Sequence, residues 1–260
     1  MLNDPLLEEF MHSFYGYGNL NSKIWFIGME EGGGNSIQEI EQRLKCWEKL
    51  GKPNVMDVSE FHNMLGDAHN SSVKMHFAEN NIRYQRTWGG LIKMMFSSQN
   101  KGLENIEDRK YYQASQFGRI SSNECLLELY PLPSPGINKF HYNERSLIPY
   151  LKSRESYVRY IRESRIKGIK SLVATHQPKA VVFYSSSSNY ITAWSDIAEV
   201  DFGKVEGDIL RTNSGKSLTI KSAERDQILY IVTHHPVYRG LNKEYFEKVG
   251  GLIRANISVR

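Results

Sequence analysis

Lys23–Met29 reads KIWFIGM, and Glu30-Glu31-Gly32-Gly33-Gly34-Asn35 follows it directly. The run is short, rich in aromatic and branched residues, and does not alternate between apolar and polar. That is the pattern of a strand covered on both faces of a sheet. Three further runs share it: Cys125–Leu129 (CLLEL), Ala180–Tyr184 (AVVFY) and Gln227–Thr233 (QILYIVT). Stretches with helical spacing lie between them. Ser36–Leu50 carries Ile37, Ile40, Leu44 and Trp47 at spacings of three and four. Trp88–Phe96 is shorter and weakened by Gly89 and Gly90, Tyr157–Val173 gathers Ile161, Ile166, Ile169, Leu172 and Val173, and Tyr245–Ala255 closes the fold. Strands alternating with helices predict an α/β fold, a three-layer α/β/α sandwich around a central, mainly parallel four-stranded sheet. Residues 1–260 are expected to form a single domain with insertions at 51–81 and 185–224, the second making a hairpin-like excursion around Gly203–Ser217.

Composition narrows the function classes. Hydrophobic residues at 40% and charged residues at 24% exclude a disordered or low-complexity chain. The longest apolar runs fall far short of the ~20 residues of a spanning helix. The start, MLNDPLLEEF, is acidic and lacks the basic-then-apolar order of a signal peptide. Two cysteines, Cys46 and Cys125, are too few for a disulfide framework or a four-thiolate metal site, and a reducing cytoplasm (the nucleoid, in a prokaryote) is the expected compartment. The net charge of +4 is uneven: Asn143–Lys170 holds eight Lys/Arg against three Glu, a local excess of +5, so the remainder nets −1. Such a helix is either a solvated face or a phosphate-contacting one.

In an open α/β sheet, chemistry collects at the carboxyl ends of the strands, so four loops are candidates. The first pairs Glu30 and Glu31 with three glycines that permit close approach of a ligand, and free N–H groups ahead of the helix at Ser36 could hold an anion. It is neither a dinucleotide fingerprint nor a phosphate loop. Gly215-Lys216-Ser217 lacks the earlier glycine and strand that a phosphate loop requires. The second runs from Glu128 through Tyr130-Pro131-Leu132-Pro133; a carboxylate ending an apolar strand is costly unless it faces a cleft or a partner. The third, Ser185–Asn189, lacks a nucleophile elbow and reads as a polar loop. The fourth, Thr233-His234-His235-Pro236-Val237-Tyr238-Arg239-Gly240, offers histidines suited to proton donation near neutrality, and an aromatic and an arginine suited to a nucleic acid. The basic helix within Asn143–Lys170 and, separately, Arg83, Arg86 and Lys93 are expected to flank the cleft. His62, His69 and His76 stand seven apart, drift off one helical face and have no cysteine beside them, so they read as solvent or packing histidines rather than metal ligands.

The order of these motifs resembles the uracil-DNA glycosylase superfamily, most nearly its single-strand-selective monofunctional group. Gly28-Met29-Glu30-Glu31-Gly32 is similar to the family's first motif and His235-Pro236-Val237 to its last. Arg86-Thr87-Trp88 with Leu91, Glu128-Leu129-Tyr130-Pro131-Leu132 and Gln177–Val182 resemble the pieces between, and the likeness extends from Lys23 to the C-terminus. The resemblance implies a base-excision DNA repair enzyme that flips a nucleotide out of the stack and needs no metal or organic cofactor. It makes Glu30 the residue that activates water at C1′ and His235 the one that stabilises the departing base. Met29, Glu31, Glu128 and Tyr130 would line the base pocket, and Gly32, Gly33, Arg83, Arg86, His234, Tyr238 and Arg239 would contact DNA, single- or double-stranded. No membrane and no obligatory protein partner are implied.

The departures carry their own expectation. Glu31 replaces a proline, Val237 replaces a serine, and Glu128 replaces an asparagine that reads the base. Ionised glutamate only accepts hydrogen bonds, so it would repel a carbonyl and welcome an amino group, unless a raised pKa supplies a proton. The expected function is therefore a monofunctional glycosylase for a damaged or modified base, with ordinary uracil not the best substrate. The alternatives are an inactive nucleic-acid-binding protein with the same fold, and a hydrolase of free nucleosides or nucleotides.

Overall fold

The computed structural model describes residues 1–69, 72–136, 138–212 and 215–258. In chain order the strands are β1 (Gly16–Gly18), β2 (Ile24–Glu30), β3 (Val55–Met56), β4 (Glu124–Tyr130), β5 (Ala180–Phe183), β6 (Gly207–Arg211), β7 (Ser217–Arg225) and β8 (Ile228–Val232). The helices are α1 (Asp4–Ser13), α2 (Ile37–Lys49), α3 (Val58–His69), α4 (Arg86–Ser98), α5 (Ile106–Ser115), α6 (Arg154–His176), α7 (Ser188–Ala198) and α8 (Lys243–Ser258). Among the described residues none of these helices is long and apolar enough to cross a membrane.

The four expected runs become β2, β4, β5 and β8, and they pair in parallel in the order β4-β2-β5-β8. Their apolar side chains are buried wherever neighbours cover both faces: all of β5, and the first five residues of β2. Helix starts follow local chemistry. The side chains of Asn3, Ser36, Gln85, Asn105 and Ser153 each accept a backbone N–H of the first turn that has no intrahelical partner.

The four-stranded, mainly parallel sheet is nonetheless incorrect. Among the described residues the sheet has eight strands, in the order β3-β1-β4-β2-β5-β8-β7-β6, and it is mixed. β1 lies antiparallel to β4 and carries β3 on its outer side, while β7 runs antiparallel to β8 and carries β6. This large mixed sheet with eight helices, counted among the described residues, overturns the resemblance to the uracil-DNA glycosylase superfamily and the glycosylase-like fold expected from it. The motifs behind the likeness were short acid–glycine and His-Pro turns, which any strand-to-loop exit can carry. β1 and β3 carry no strand signal in the sequence, and the expected hairpin-like excursion is the β6–β7 pair, which joins the sheet. β1 is Gly-Tyr-Gly and β3 only two residues, and β6–β7 show mixed burial because β6 is an edge. Residues 213 and 214 of the expected excursion lie outside the described residues; the strands on either side extend the sheet.

β2 is the first of the four parallel strands in the chain, yet β4 and β5 flank it. The strand order reverses there, and such a switch opens a crevice at the carboxyl ends. One buried arginine fixes the crevice wall. Arg165 of α6 is 1% exposed and sits 4.0 Å from the Tyr15 ring centroid. It donates to the carbonyls of Leu129 at 3.0 Å, Phe14 at 2.8 Å and Glu128 at 2.9 Å. The residue counted in a basic helix face therefore clamps the end of β4 to the chain entering β1. Arg154 likewise pairs with Glu30, and Lys170 with Glu199.

Candidate functional site

The crevice encloses about 640 Å³. Its lining comes from the ends of four parallel strands and from the helices after β2. Of the residues singled out in the sequence, Met29, Glu30, Glu31, Gly32, Gly33, Arg83, Glu128 and His235 meet there. Arg43, His62, His76, Trp88 and Tyr184 join them.

Glu31 is held on every side. Its Oε1 accepts from Arg43 Nη1 at 3.0 Å and faces His62 Nε2 at 3.2 Å, and its Oε2 accepts from Tyr17 Oη at 2.7 Å. Burial alone would raise its pKa, but Arg43, His62 and Tyr17 outweigh it and hold the carboxyl at about 2. Arg43 also donates to Glu39 at 3.1 Å. The other His62 nitrogen, Nδ1, donates to the Val58 carbonyl at 2.8 Å. His62 is thus a buried member of the site rather than a packing or solvent residue. Its position on α3, inside a segment with weak periodicity, gave no signal of that. Among the described residues no group of three or more His, Cys, Asp or Glu side chains is arranged to hold a metal ion.

The expected anion nest before α2 is filled from within. Glu39 accepts from the backbone N–H of Gly34 and of Asn35, each at 3.0 Å, so these amides already serve an internal carboxylate. Gly33, with φ +136°, is required where it stands, because a Cβ there would lie 2.5 Å from Arg43 Nη2.

Glu30 follows the buried part of β2. Its Oε2 accepts from Arg154 Nη2 at 2.7 Å. Glu128 behaves differently. Its Oε1 accepts from Tyr184 Oη at 2.7 Å, while Oε2 is buried without a partner. Burial raises the Glu128 pKa most; the Tyr184 bond opposes this, Glu31 and Glu30 add to it, and the balance stands at about 8. Arg165 offers little relief because its guanidinium faces backbone carbonyls. The glycine at 28 lets the two side chains meet: a Cβ there would sit 2.0 Å from Tyr184 Oη and 2.4 Å from Glu128 Oε2.

His235 Nδ1 accepts from the Val237 N–H at 3.4 Å, so the neutral ring carries its proton on Nε2. Burial lowers its pKa and favours that neutral form. Its ring lies 6.0 Å from that of Tyr184. Trp88 brings an aromatic wall, with its ring edge-on to His62 at 5.7 Å and His76 at 5.5 Å.

Other expected site residues stand apart from the lining. Tyr130 is buried against Tyr157 and Tyr190. His234 accepts from the Thr219 N–H at 3.2 Å, contacts Ser186 Oγ at 2.8 Å, and stacks on Tyr238 at 4.5 Å. Lys216 covers the Tyr238 ring at 4.3 Å, and Arg239 is exposed. Arg86 opens α4 on the surface, and Lys93 lies over Phe246. Chemically, the crevice combines an ionised acid, a neutral acid, a neutral imidazole N–H donor and an aromatic wall. No protein-family model matches the chain and no curated protein matches it.

Proposed function

We propose that this crevice hydrolyses the N-glycosidic bond of a nucleotide whose base enters it, with DNA as the carrier. One observation supports the reading above the others: Glu30, Glu31, Glu128 and His235 converge from strand ends on one crevice, where Arg43 holds the Glu31 carboxyl low and burial pushes that of Glu128 up. Titratable groups pushed apart in this way are how a site divides acid and base roles. In the proposed reaction the C1′–N bond breaks and its electron pair leaves with the base. Positive charge grows on the sugar, where Glu30 and Glu31 favour it. Negative charge grows on the base, where His235 Nε2–H donates. Water adds its oxygen to C1′, and its proton ends on the released base. Trp88 offers a face for the base to stack on.

The test is base release from oligonucleotides carrying uracil, deaminated purines and modified pyrimidines. Release of one base class, reduced about 100-fold or more by His235→Ala and by Glu30→Gln, is the expected result. A binding protein without catalysis is the second reading. Arg154 holds Glu30, and three donors surround Glu31, which limits either acid in activating water. Tight binding of the same strands with no release from any of them selects that reading.

A further inference from the structure

We propose that β6 is an interface between two copies of this chain, which join edge to edge as antiparallel strands about a two-fold axis at Ile209 and continue one sheet into the other.

β6 ends the sheet, and among the described residues no strand lies on its outer side. The ladder fixes which of its backbone groups face outward. The Thr212 N–H donates to the Lys216 carbonyl at 2.9 Å, one step beyond the pair of Arg211 with Ser217. Bonded and non-bonded pairs alternate along an antiparallel ladder. Leu210 with Leu218 and Asp208 with Ile220 are therefore bonded pairs, and Gly207, Ile209 and Arg211 turn their N–H and C=O groups away from β7. Such a row is a template for another strand.

Sheet edges that stay single are blunted by a proline, a lysine, a bulge or a cover. β6 reads GDILR and pairs with β7 in unbroken register, so it has none of the first three. Its one acid, Asp208, is drawn to the α8 side, 2.9 Å from Lys248 Nζ. Its central residue, Ile209, points to the other face and is 65% exposed.

A second copy suits this edge because the outward groups are symmetric about Ile209. Ile209 falls opposite the partner's Ile209, and Gly207 falls opposite the partner's Arg211, so each outward N–H and C=O from 207 to 211 meets its complement. The two isoleucine side chains cover one another on the shared face. Each Arg211 lies across from a residue with no side chain, and the two arginines stand roughly 14 Å apart along the strands. The opposite edge, β3, is two residues long, so the pairing closes as a dimer and does not run on into a fibre. No residue of β6 lines the crevice, so the pairing and the proposed hydrolysis can fail separately.

The test is sedimentation of the full chain across a dilution series, with amide hydrogen exchange read residue by residue. The wild type should sediment as a dimer at about 100 μM and dissociate on dilution. Ile209→Lys sets like charges against each other across the axis, and Ile209→Pro removes the central outward N–H groups while keeping those that bond β7. Each should weaken the dimer on the order of 10- to 100-fold. The Ile209 and Arg211 amides should be protected in the wild-type dimer and exchange in Ile209→Lys, while the Asp208 and Leu210 amides stay protected in both and report an intact hairpin. If the proline variant fails to fold, the lysine variant and its exchange pattern still decide. A wild type that stays monomeric at every concentration overturns the proposal. So does a dimer that survives both substitutions, or one whose Ile209 and Arg211 amides exchange freely. A monomer whose Ile209 amide becomes protected only when a synthetic Thr-Val strand peptide is added would assign the edge to a foreign strand and overturn it as well.

Discussion

A glutamate stands near each end of β4, fully buried at one and half-buried at the other, and the two are treated in opposite ways. At the amino end Glu124 is fully buried, accepts from Tyr112 Oη at 2.7 Å and from the Gly118 N–H at 2.8 Å, and ties α5 and its following turn to the sheet. At the carboxyl end Glu128 has one oxygen bonded and the other bare. Burial raises both pKa values, to about 7 and about 8. The same residue type on the same strand thus has both oxygens bonded at one end and one oxygen bare at the other. Hydrogen-bond saturation, together with exposure and not pKa, separates the two.

The contrast can be broken most sharply through the frame around the open end. Arg43→Met leaves Glu31 and Glu39 buried beside each other without their cation. It should cost about 3–5 kcal/mol by urea denaturation, and a loss below about 1 kcal/mol would show that the frame does not depend on that pair. Next comes the anchor. Glu124→Gln disturbs a saturated pair of bonds and should cost about 1–3 kcal/mol. Glu128→Gln keeps the Tyr184 bond, removes a group held in an unfavourable state, and should change stability at pH 5 by less than about 1 kcal/mol. Equal losses at the two ends would erase the distinction.

The same contrast also appears as a pH slope. Glu124 and Glu128 have folded pKa values above the ordinary 4.5, so the native state holds protons that the unfolded chain releases. Their stabilising contribution is complete below about pH 4.5, declines as pH rises, and is gone by about pH 7 for Glu124 and about pH 8 for Glu128. Glu31 is opposite in sign: its contribution is complete above 4.5 and is lost as pH falls through about 2. The wild type should lose up to about 1.4 kcal/mol per pH unit to Glu128 within its window, and Glu128→Gln should remove that decline. Melting curves at half-unit steps from pH 5 to 8.5 check it; parallel curves for the two proteins would place the Glu128 proton elsewhere.

The centre of the fold was legible because its signal is local. Runs such as IWFIG and AVVF can satisfy their side chains only between two covering layers. The flanks were not legible, because Gly16–Gly18 and Val55–Met56 become strands only where β4 offers an edge. The site divides likewise. Glu30, Glu31, Glu128 and His235 follow strand ends, where sequence position and function coincide. Arg43 and His62 lie inside helices and reach Glu31 through tertiary packing across α2 and α3. Tyr184 looked like the last core residue of its strand, and only its hydroxyl, aimed at Glu128, reveals its part. The protonation of Glu128 was unreadable for the same reason, since it depends on carboxylates and an arginine distant along the chain.

The central place of β2 also has a consequence for synthesis. β2 leaves the ribosome early, but β4 begins at Glu124 and β5 at Ala180, and these are its two partners. At about 5–20 residues per second, β4 trails β2 by roughly 5–20 s, and β5 trails by longer still. During that interval both hydrogen-bonding edges of an apolar strand stay unpaired in the nascent chain. The innermost strand of the finished crevice is therefore the segment of this protein most in need of chaperone shielding while it is being made.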